Sequence, residues 1–136
     1  MLISSKGRYA LRVLLDLAEN SNGTLIPLKD IAARQNISQK YLESIMTLLS
    51  KNDFVEAMHG KGGGYRLCKA PEEYSVGDIL RLTEGTLAPV ACLEEHAKIC
   101  ERADSCKTLP LWTGLNHVIS DYLDHISLTD ILKGTL

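Results

Sequence analysis

Two stretches with helical apolar spacing, residues 28–34 and 39–52, are separated by only four residues, the Gln35-Asn36-Ile37 connection and Ser38. In the first, Leu28, Ile31 and Ala32 fall at i, i+3 and i+4. In the second, Leu42, Ile45, Met46 and Leu49 fall at i, i+3, i+4 and i+7, with Ser38 placed to cap the helix, so each helix buries one stripe. Two helices joined by so short a turn form a helix-turn-helix. Upstream, behind Ser4 and Ser5, residues Lys6 to Asn20 are apolar nearly all round, as in a buried helix, and end at an Asn-Ser-Asn-Gly turn. Downstream, Phe54 to Met58 reads as a strand, His59 to Gly64 (HGKGGG) as a turn, and Tyr65 to Lys69 as the returning strand, stopped by Ala70-Pro71. A helix-turn-helix followed by a two-stranded hairpin is a winged helix, so the fold class is mainly α with a small β-hairpin wing.

The second half is organised differently. Ser75 caps a helix running to Glu84, whereas residues 86–107 have no sustained period. A loop longer than about 15 residues in a compact domain is functional or disordered. From Thr108, with Pro110 in its first turn, a long helix follows. Its apolar residues Trp112, Leu115, Ile119, Tyr122 and Ile126 step by 3, 4, 3 and 4, the period of a helix that packs along another helix. Ser127 caps a last short helix, Leu128 to Lys133. Residues 1–74 therefore form a winged helix-turn-helix, and 75–136 the loop and the long helix.

With 136 residues, the chain is one domain's worth. Its longest apolar run, Leu87 to Leu93, is seven residues where a bilayer span needs about 20. With no signal-peptide core, the expectation is a cytoplasmic protein with no membrane partner, whose four cysteines are reduced thiols. One Phe, one Trp and five Tyr are too few for a stacking platform on single-stranded nucleic acid. The net charge of −2 conceals a division near Ala70. Residues 1–69 carry ten Lys and Arg against six Asp and Glu, and residues 70–136 carry five against eleven. The basic first half suits a polyanionic partner; the acidic second half would be repelled by one.

The third helix spends its apolar face on the core, leaving Ser38, Gln39, Lys40, Tyr41, Glu43, Ser44 and Thr47 for a partner. Hydroxyls and amides hydrogen-bond base edges or phosphates, Lys40 suits guanine or phosphate, and Glu43 can accept from cytosine N4. The face follows a tight turn and precedes a cationic, glycine-rich hairpin. There Gly60, Gly62, Gly63 and Gly64 allow close approach to phosphate, beside His59, Lys61 and Arg66. HGKGGGY fits neither nucleotide-loop pattern and leads into a strand, not a helix.

Cys92, Cys100 and Cys106 form C-x7-C-x5-C, three soft ligands where a closed zinc site or an iron–sulfur cluster wants four. The spacing leaves the metal open between zinc, copper(I) and iron–sulfur. His96, Glu94, Glu95, Glu101 and Asp104 are candidates for the fourth position or simply solvated loop residues. His117 and His125 lie off the long-helix stripe and read as surface residues. Cys68, in the returning strand, reads as an inward-facing core residue rather than a ligand.

The order of these parts resembles the iron–sulfur cluster regulator (IscR-like) family of bacterial winged-helix transcription factors along essentially the whole chain. The resemblance is carried by Ser5-Lys6-Gly7-Arg8-Tyr9-Ala10, Ile37-Ser38 through Tyr41-Leu42-Glu43, and the wing Gly60-Lys61-Gly62-Gly63-Gly64-Tyr65. It continues through Val76-Gly77-Asp78-Ile79, the three loop cysteines and Leu111-Trp112. It implies a homodimer whose long helices cross, in one compact, domain-swapped-like unit. It also implies a palindromic double-stranded operator, contacted by Ser38, Tyr41 and Glu43 with residue 59 in the minor groove, and an iron–sulfur cluster, 2Fe–2S or 4Fe–4S, on Cys92, Cys100 and Cys106. Two positions depart from the family. The usual wing arginine is His59, a side chain that changes charge near neutral pH. The histidine that completes the cluster three residues after the last cysteine is Leu109, which cannot ligate.

The sequence thus points to a DNA-binding regulator that senses iron–sulfur status, redox state or nitric oxide. The alternative is a regulator of the same fold that responds through thiols or zinc, as in the branch controlling cysteine metabolism. A protein-interaction module with no DNA partner is a third reading. No Ser-His-Asp, paired-carboxylate or nucleotide-loop arrangement points to an enzyme.

Overall fold

The computed structural model describes residues 2–136. The elements, in order, are α1 (Ser5–Asn20), α2 (Leu28–Gln35), α3 (Gln39–Lys51), β1 (Val55–Met58), β2 (Gly64–Leu67), α4 (Val76–Glu84), α5 (Leu109–Asp124) and α6 (Leu128–Lys133).

Local chemistry sets most boundaries. Ser4, Ser38, Ser75 and Ser127 each accept a hydrogen bond from a backbone N–H three residues on, satisfying a donor that the first turn would otherwise leave unpaired. At Ser127 the cap is reciprocal, because Asp130 Oδ2 accepts from the Ser127 N–H at 3.0 Å. Asn36, at φ 53° and ψ 49°, ends α2 in the left-handed conformation, and Asn is one of the few residues besides glycine that adopts it readily. That turn delivers Ile37 to the core and Ser38 to the head of α3.

The strands pair antiparallel in the register Val55–Leu67, Glu56–Arg66, Ala57–Tyr65 and Met58–Gly64. A third segment, not anticipated from the sequence, extends them: Ile26 N–H donates to Tyr65 O at 2.8 Å and Tyr65 N–H to Ile26 O at 2.9 Å. Gly64 permits this. Its φ is 154°, and a Cβ there would lie 2.5 Å from the Ile26 carbonyl oxygen. The returning strand is shorter than Tyr65 to Lys69. It stops at Leu67, and Cys68 is exposed rather than inward-facing, because the chain turns away to let Tyr74 Oη accept the Cys68 N–H at 3.0 Å.

The main core joins Val13, Leu14 and Leu17 of α1, Ile31 of α2, Leu42, Ile45, Met46 and Leu49 of α3, Val55, Tyr74, Ile79 and, from the last helix, Leu128. Burying each such side chain contributes about 1.5–3 kcal/mol. A smaller cluster of Val76, Leu80 and Leu87 receives Ile119 and Leu123 of the long helix and Ile126 just beyond its end.

The stripe read on α5 is therefore two stripes. Ile119 and Ile126 turn inward with Leu123, while Leu115 and Tyr122 face out with Leu111 and Val118. The four outer residues are 61%, 40%, 65% and 57% exposed for Leu111, Leu115, Val118 and Tyr122, and α5 has no buried residue at all.

Candidate nucleic-acid interface and cysteine hollow

The recognition face of α3 lies open. Ser38, Gln39, Lys40, Tyr41, Glu43, Ser44 and Thr47 are all exposed. Their hydrogen bonding separates them by role. Ser44 Oγ donates to the Tyr41 carbonyl at 2.7 Å and Thr47 Oγ1 to the Glu43 carbonyl at 2.8 Å. With their hydrogens spent on the helix, these hydroxyls present acceptor lone pairs outward. Among the described residues, Lys40 and Glu43 have no ion-pair partner. Tyr41 rests edge to face on Tyr9 of α1.

The wing places His59, Gly60, Lys61 and Gly62 at an exposed tip, with Gly63 half-buried. The Gly63 N–H donates to the Gly60 carbonyl at 3.0 Å, closing the turn, and nothing lies within 4 Å of where a Gly62 side chain would be. Arg66, expected beside the tip, is committed elsewhere: its Nε donates to Glu56 Oε2 across the strand pair at 2.5 Å.

His59 borders two shallow grooves. One, of about 290 Å³, also has Lys29, Gln39 and Met58 in its walls; the other, of about 200 Å³, has Thr47, Ser50 and Lys51. The wing and the recognition helix thus face one outer surface, and Lys29 and Lys51 add positive charge to it. Sequence reasoning passed over both lysines. Their placement beside the wing depends on the Ile26–Tyr65 pairing and on the length of α3, neither of which the motif reading used. The Tyr65 phenol is pushed up by burial and then by the Glu43 carboxylate, which places that recognition-helix charge on the wing side.

Cys92, Cys100 and Cys106 all line a single hollow of about 220 Å³, otherwise walled mainly by Leu93, Ala97, Ile99, Ala103 and Leu109. The three thiols are not drawn together into a ligating cluster; among the described residues no group of three or more His, Cys, Asp or Glu is gathered in metal-binding geometry. The hollow nevertheless suits a soft-ligand group, because its walls are apolar and its donors are thiols. It holds no carboxylate or imidazole: Glu94, Glu95, Glu101, Asp104 and His96 lie outside its lining, and the position of Leu109 is filled by a hydrocarbon side chain. Cys106 sits at the head of α5. The Thr108 hydroxyl, then the Thr108 and Leu109 backbone N–H groups, hold its thiol below the ordinary thiol range, favouring thiolate. His117 and His125 are exposed.

A model of the Rrf2 family, described as an iron-dependent transcriptional regulator, matches residues 3–134. The chain belongs to the Rrf2 family. Among its relatives is the HTH-type transcriptional regulator IscR of Erwinia tasmaniensis, 37% identical over 134 residues that span 98% of this chain and 80% of the relative. Two solved Rrf2-type structures are close in fold. The global cysteine regulator CymR of B. subtilis superposes with a TM-score of 0.78 at 33% identity, covering 96% of this chain and 95% of CymR. IscR of T. potens superposes at 0.76 and 32%, covering 100% of this chain and 89% of that one. This Rrf2 chain is accordingly a DNA-binding transcriptional regulator of winged-helix fold and not an enzyme. No helix among its described residues is long and apolar enough to cross a membrane.

Proposed function

We propose that the protein is a homodimeric cytoplasmic regulator that binds a palindromic operator and senses iron–sulfur status, redox state or nitric oxide through a cluster on Cys92, Cys100 and Cys106. The observation that carries this reading is that all three loop thiols line one apolar hollow at the head of α5. A bound cluster would supply iron that responds to oxidants or nitric oxide. The chain supplies the relay. Cys106 lies three residues before the start of α5, and α5 is latched to α4, where Arg81 Nη1 donates to Asp124 Oδ1 at 2.6 Å. Three residues further on, at the C-terminal end of α4, Glu84 Oε1 accepts from Ser4 Oγ at 2.7 Å and from the Ser4 N–H at 3.1 Å, which ties the same turn of α4 to α1 and the DNA-reading half. Ordering residues 86–107 around the thiols would therefore set the angle of α5 against the winged helix.

In the dimer, the stripe of Leu111, Leu115, Val118 and Tyr122 packs against its own copy, which accounts for a helix whose apolar side is otherwise left in water. Two-fold symmetry then places the two recognition helices on half-sites about 34 Å apart, or a multiple of that. The interface contributes Ser38, Gln39, Lys40, Tyr41, Glu43 and Ser44 from α3 and its cap, and His59, Lys61, Gly62 and Gly63 from the wing.

A second reading has a specific observation behind it. The hollow lacks a fourth protein donor, and Cys106 is biased to thiolate, as a thiol- or zinc-responsive regulator requires. The deciding experiment is iron and acid-labile sulfide per chain on anaerobically purified protein, followed by operator footprinting of the holo and apo forms. Equal iron and sulfide near two or four per chain supports the cluster and chooses its type. Zinc without sulfide, or no metal, transfers the role to thiol chemistry. Identical footprints and affinities for the two forms would remove the switch.

A further inference from the structure

The loop hollow does not account for a second concavity, of about 160 Å³, at the open end of the seam between α4 and α5. Arg81, Thr86, Glu95, Asn116 and Ser120 supply its polar walls. Asn116 and Ser120 lie one turn apart on α5, are half-buried, and make no intramolecular side-chain hydrogen bond among the described residues. At 100° per residue they project more than a quarter-turn away from the outward apolar stripe, so a copy packed on that stripe leaves them free.

The walls carry one fixed charge of each sign. Arg81 gives two donors to Asp124, at 2.6 and 3.2 Å, has the Asp78 carboxylate 3.8 Å from the same Nη1, and retains its remaining N–H groups. Glu95 stands at the rim, exposed, with the His96 imidazole 3.8 Å away and no Lys or Arg paired with it among the described residues. A pure anion would meet a carboxylate here and a pure cation a guanidinium. A ligand with both charges satisfies both. The volume restricts it to fewer than about ten non-hydrogen atoms, well below an ordinary cofactor site.

We infer that this concavity is a binding site for a small zwitterion of amino-acid size, its carboxylate toward Arg81 and its ammonium toward Glu95, with Asn116 and Ser120 hydrogen-bonding its polar groups. The site goes beyond the cluster reading and does not depend on it, since none of the three loop cysteines belongs to it. Its position is consequential, because Arg81 also forms the latch between α4 and α5. An occupant that draws on Arg81 changes the same seam that the loop controls. The existing pairing of Arg81 makes the affinity modest, in the millimolar range.

The test is saturation-transfer NMR on the full-length protein as purified, with L-serine and L-threonine as probes and acetate and ethanolamine as single-charge controls. Saturable transfer to the amino acids, weaker transfer to both controls, and binding at least about tenfold weaker in Asn116→Ala and Ser120→Ala would establish the site. Both substitutions remove partly exposed polar atoms, and their thermal unfolding should match that of the parent. No saturable transfer, equal binding of acetate, or undiminished binding in the two variants would overturn it. None of these outcomes bears on whether the loop thiols hold iron.

Discussion

The rings of Tyr9 and Tyr41 meet edge to face, with centroids 5.6 Å apart and planes at 84°. Tyr41 stands in the first turn of α3 and Tyr9 on α1, so the contact joins the proposed DNA-reading surface to a helix that lends Val13, Leu14 and Leu17 to the core. Arg12 braces it from behind: its guanidinium lies 5.2 Å from the Tyr9 centroid and donates to the carbonyl and side-chain oxygens of Gln35, at the turn before α3. Edge-to-face pairs contribute about 0.5–1.5 kcal/mol beyond their buried area. A double-mutant cycle of Tyr9→Ala and Tyr41→Ala, read by urea unfolding, should return a coupling in that range. Additivity to within about 0.3 kcal/mol would mean that the two rings merely coincide.

Asp16 provides the other brace. Its carboxylate is 1% exposed and accepts from Arg34 Nε and Nη2, at 3.0 and 2.8 Å, and from Gln35 Nε2 at 2.8 Å. Removing Arg34 leaves a buried charge with one neutral donor, whereas Asp16→Asn removes the charge itself. Breaking a fully buried pair in this way costs about 3–5 kcal/mol. The Arg34 side chain is 39% exposed, so solvent screening lowers the expectation for Arg34→Ala to about 2–3 kcal/mol. Asp16→Asn should cost less, about 1 kcal/mol. The reverse order in chemical denaturation would show that the arginine is dispensable.

These braces mark where sequence reasoning reached its end. The helices, their serine caps and the hairpin were legible because they rest on local rules: spacing, capping and turn chemistry. The partner of Asp16 was not, because nothing in the pattern of α1 distinguishes a buried carboxylate from a solvated one. The α5 stripe was misassigned for a related reason. A 3-4 step fits any apolar seam, and only the position of Val76, Leu80 and Leu87 determines that Ile119 and Ile126 face inward while Tyr122 does not. Cys68 shows the same limit, since its exposure follows from a chain reversal around the Tyr74 hydroxyl. The three loop cysteines could be grouped by proximity in sequence, but their common apolar hollow appears only in three dimensions.

Val118 is the most exposed residue of the α5 stripe, at 65%, and nothing in its own chain covers it. In a two-fold interface each substitution acts twice. Val118→Asp would oppose two carboxylates across apolar surface, a cost of several kcal/mol that is paid only by the dimer. Sedimentation velocity should show a dimer for the parent and a monomer for the variant at micromolar concentration, with the unfolding midpoint of the monomer fold little changed. Operator affinity should fall with it, because two half-sites would no longer be engaged by one particle.

His59 lies between the groove that holds Lys29 and the groove that holds Lys51. An arginine there would carry a permanent charge into whichever groove receives the wing, and narrow minor grooves attract that charge. His59→Arg should tighten operator binding and steepen the slope of log affinity against log salt concentration by about 2 for the dimer, one additional phosphate-neutralising cation from each of its two wings. An unchanged slope in fluorescence anisotropy titrations over a series of salt concentrations would place residue 59 away from the DNA.

Leu109 opens α5 and lines the hollow with the three thiols, at the position where the family resemblance places a histidine ligand. Its side chain is partly buried against apolar neighbours, and imidazole is of similar bulk, so Leu109→His should leave the fold intact. The new nitrogen would be delivered to the hollow by the first turn of α5, three residues after Cys106. If the thiols bind iron and sulfide, the variant should retain its cluster longer in air than the parent, followed as slower bleaching of the visible absorption, and should hold at least as much iron per chain. Cys92→Ala should act in the opposite direction and lose both iron and sulfide. If Leu109→His instead takes up zinc without sulfide, the hollow is a thiolate metal site rather than a cluster site, and the redox chemistry of this regulator lies with Cys106 and its neighbouring thiols.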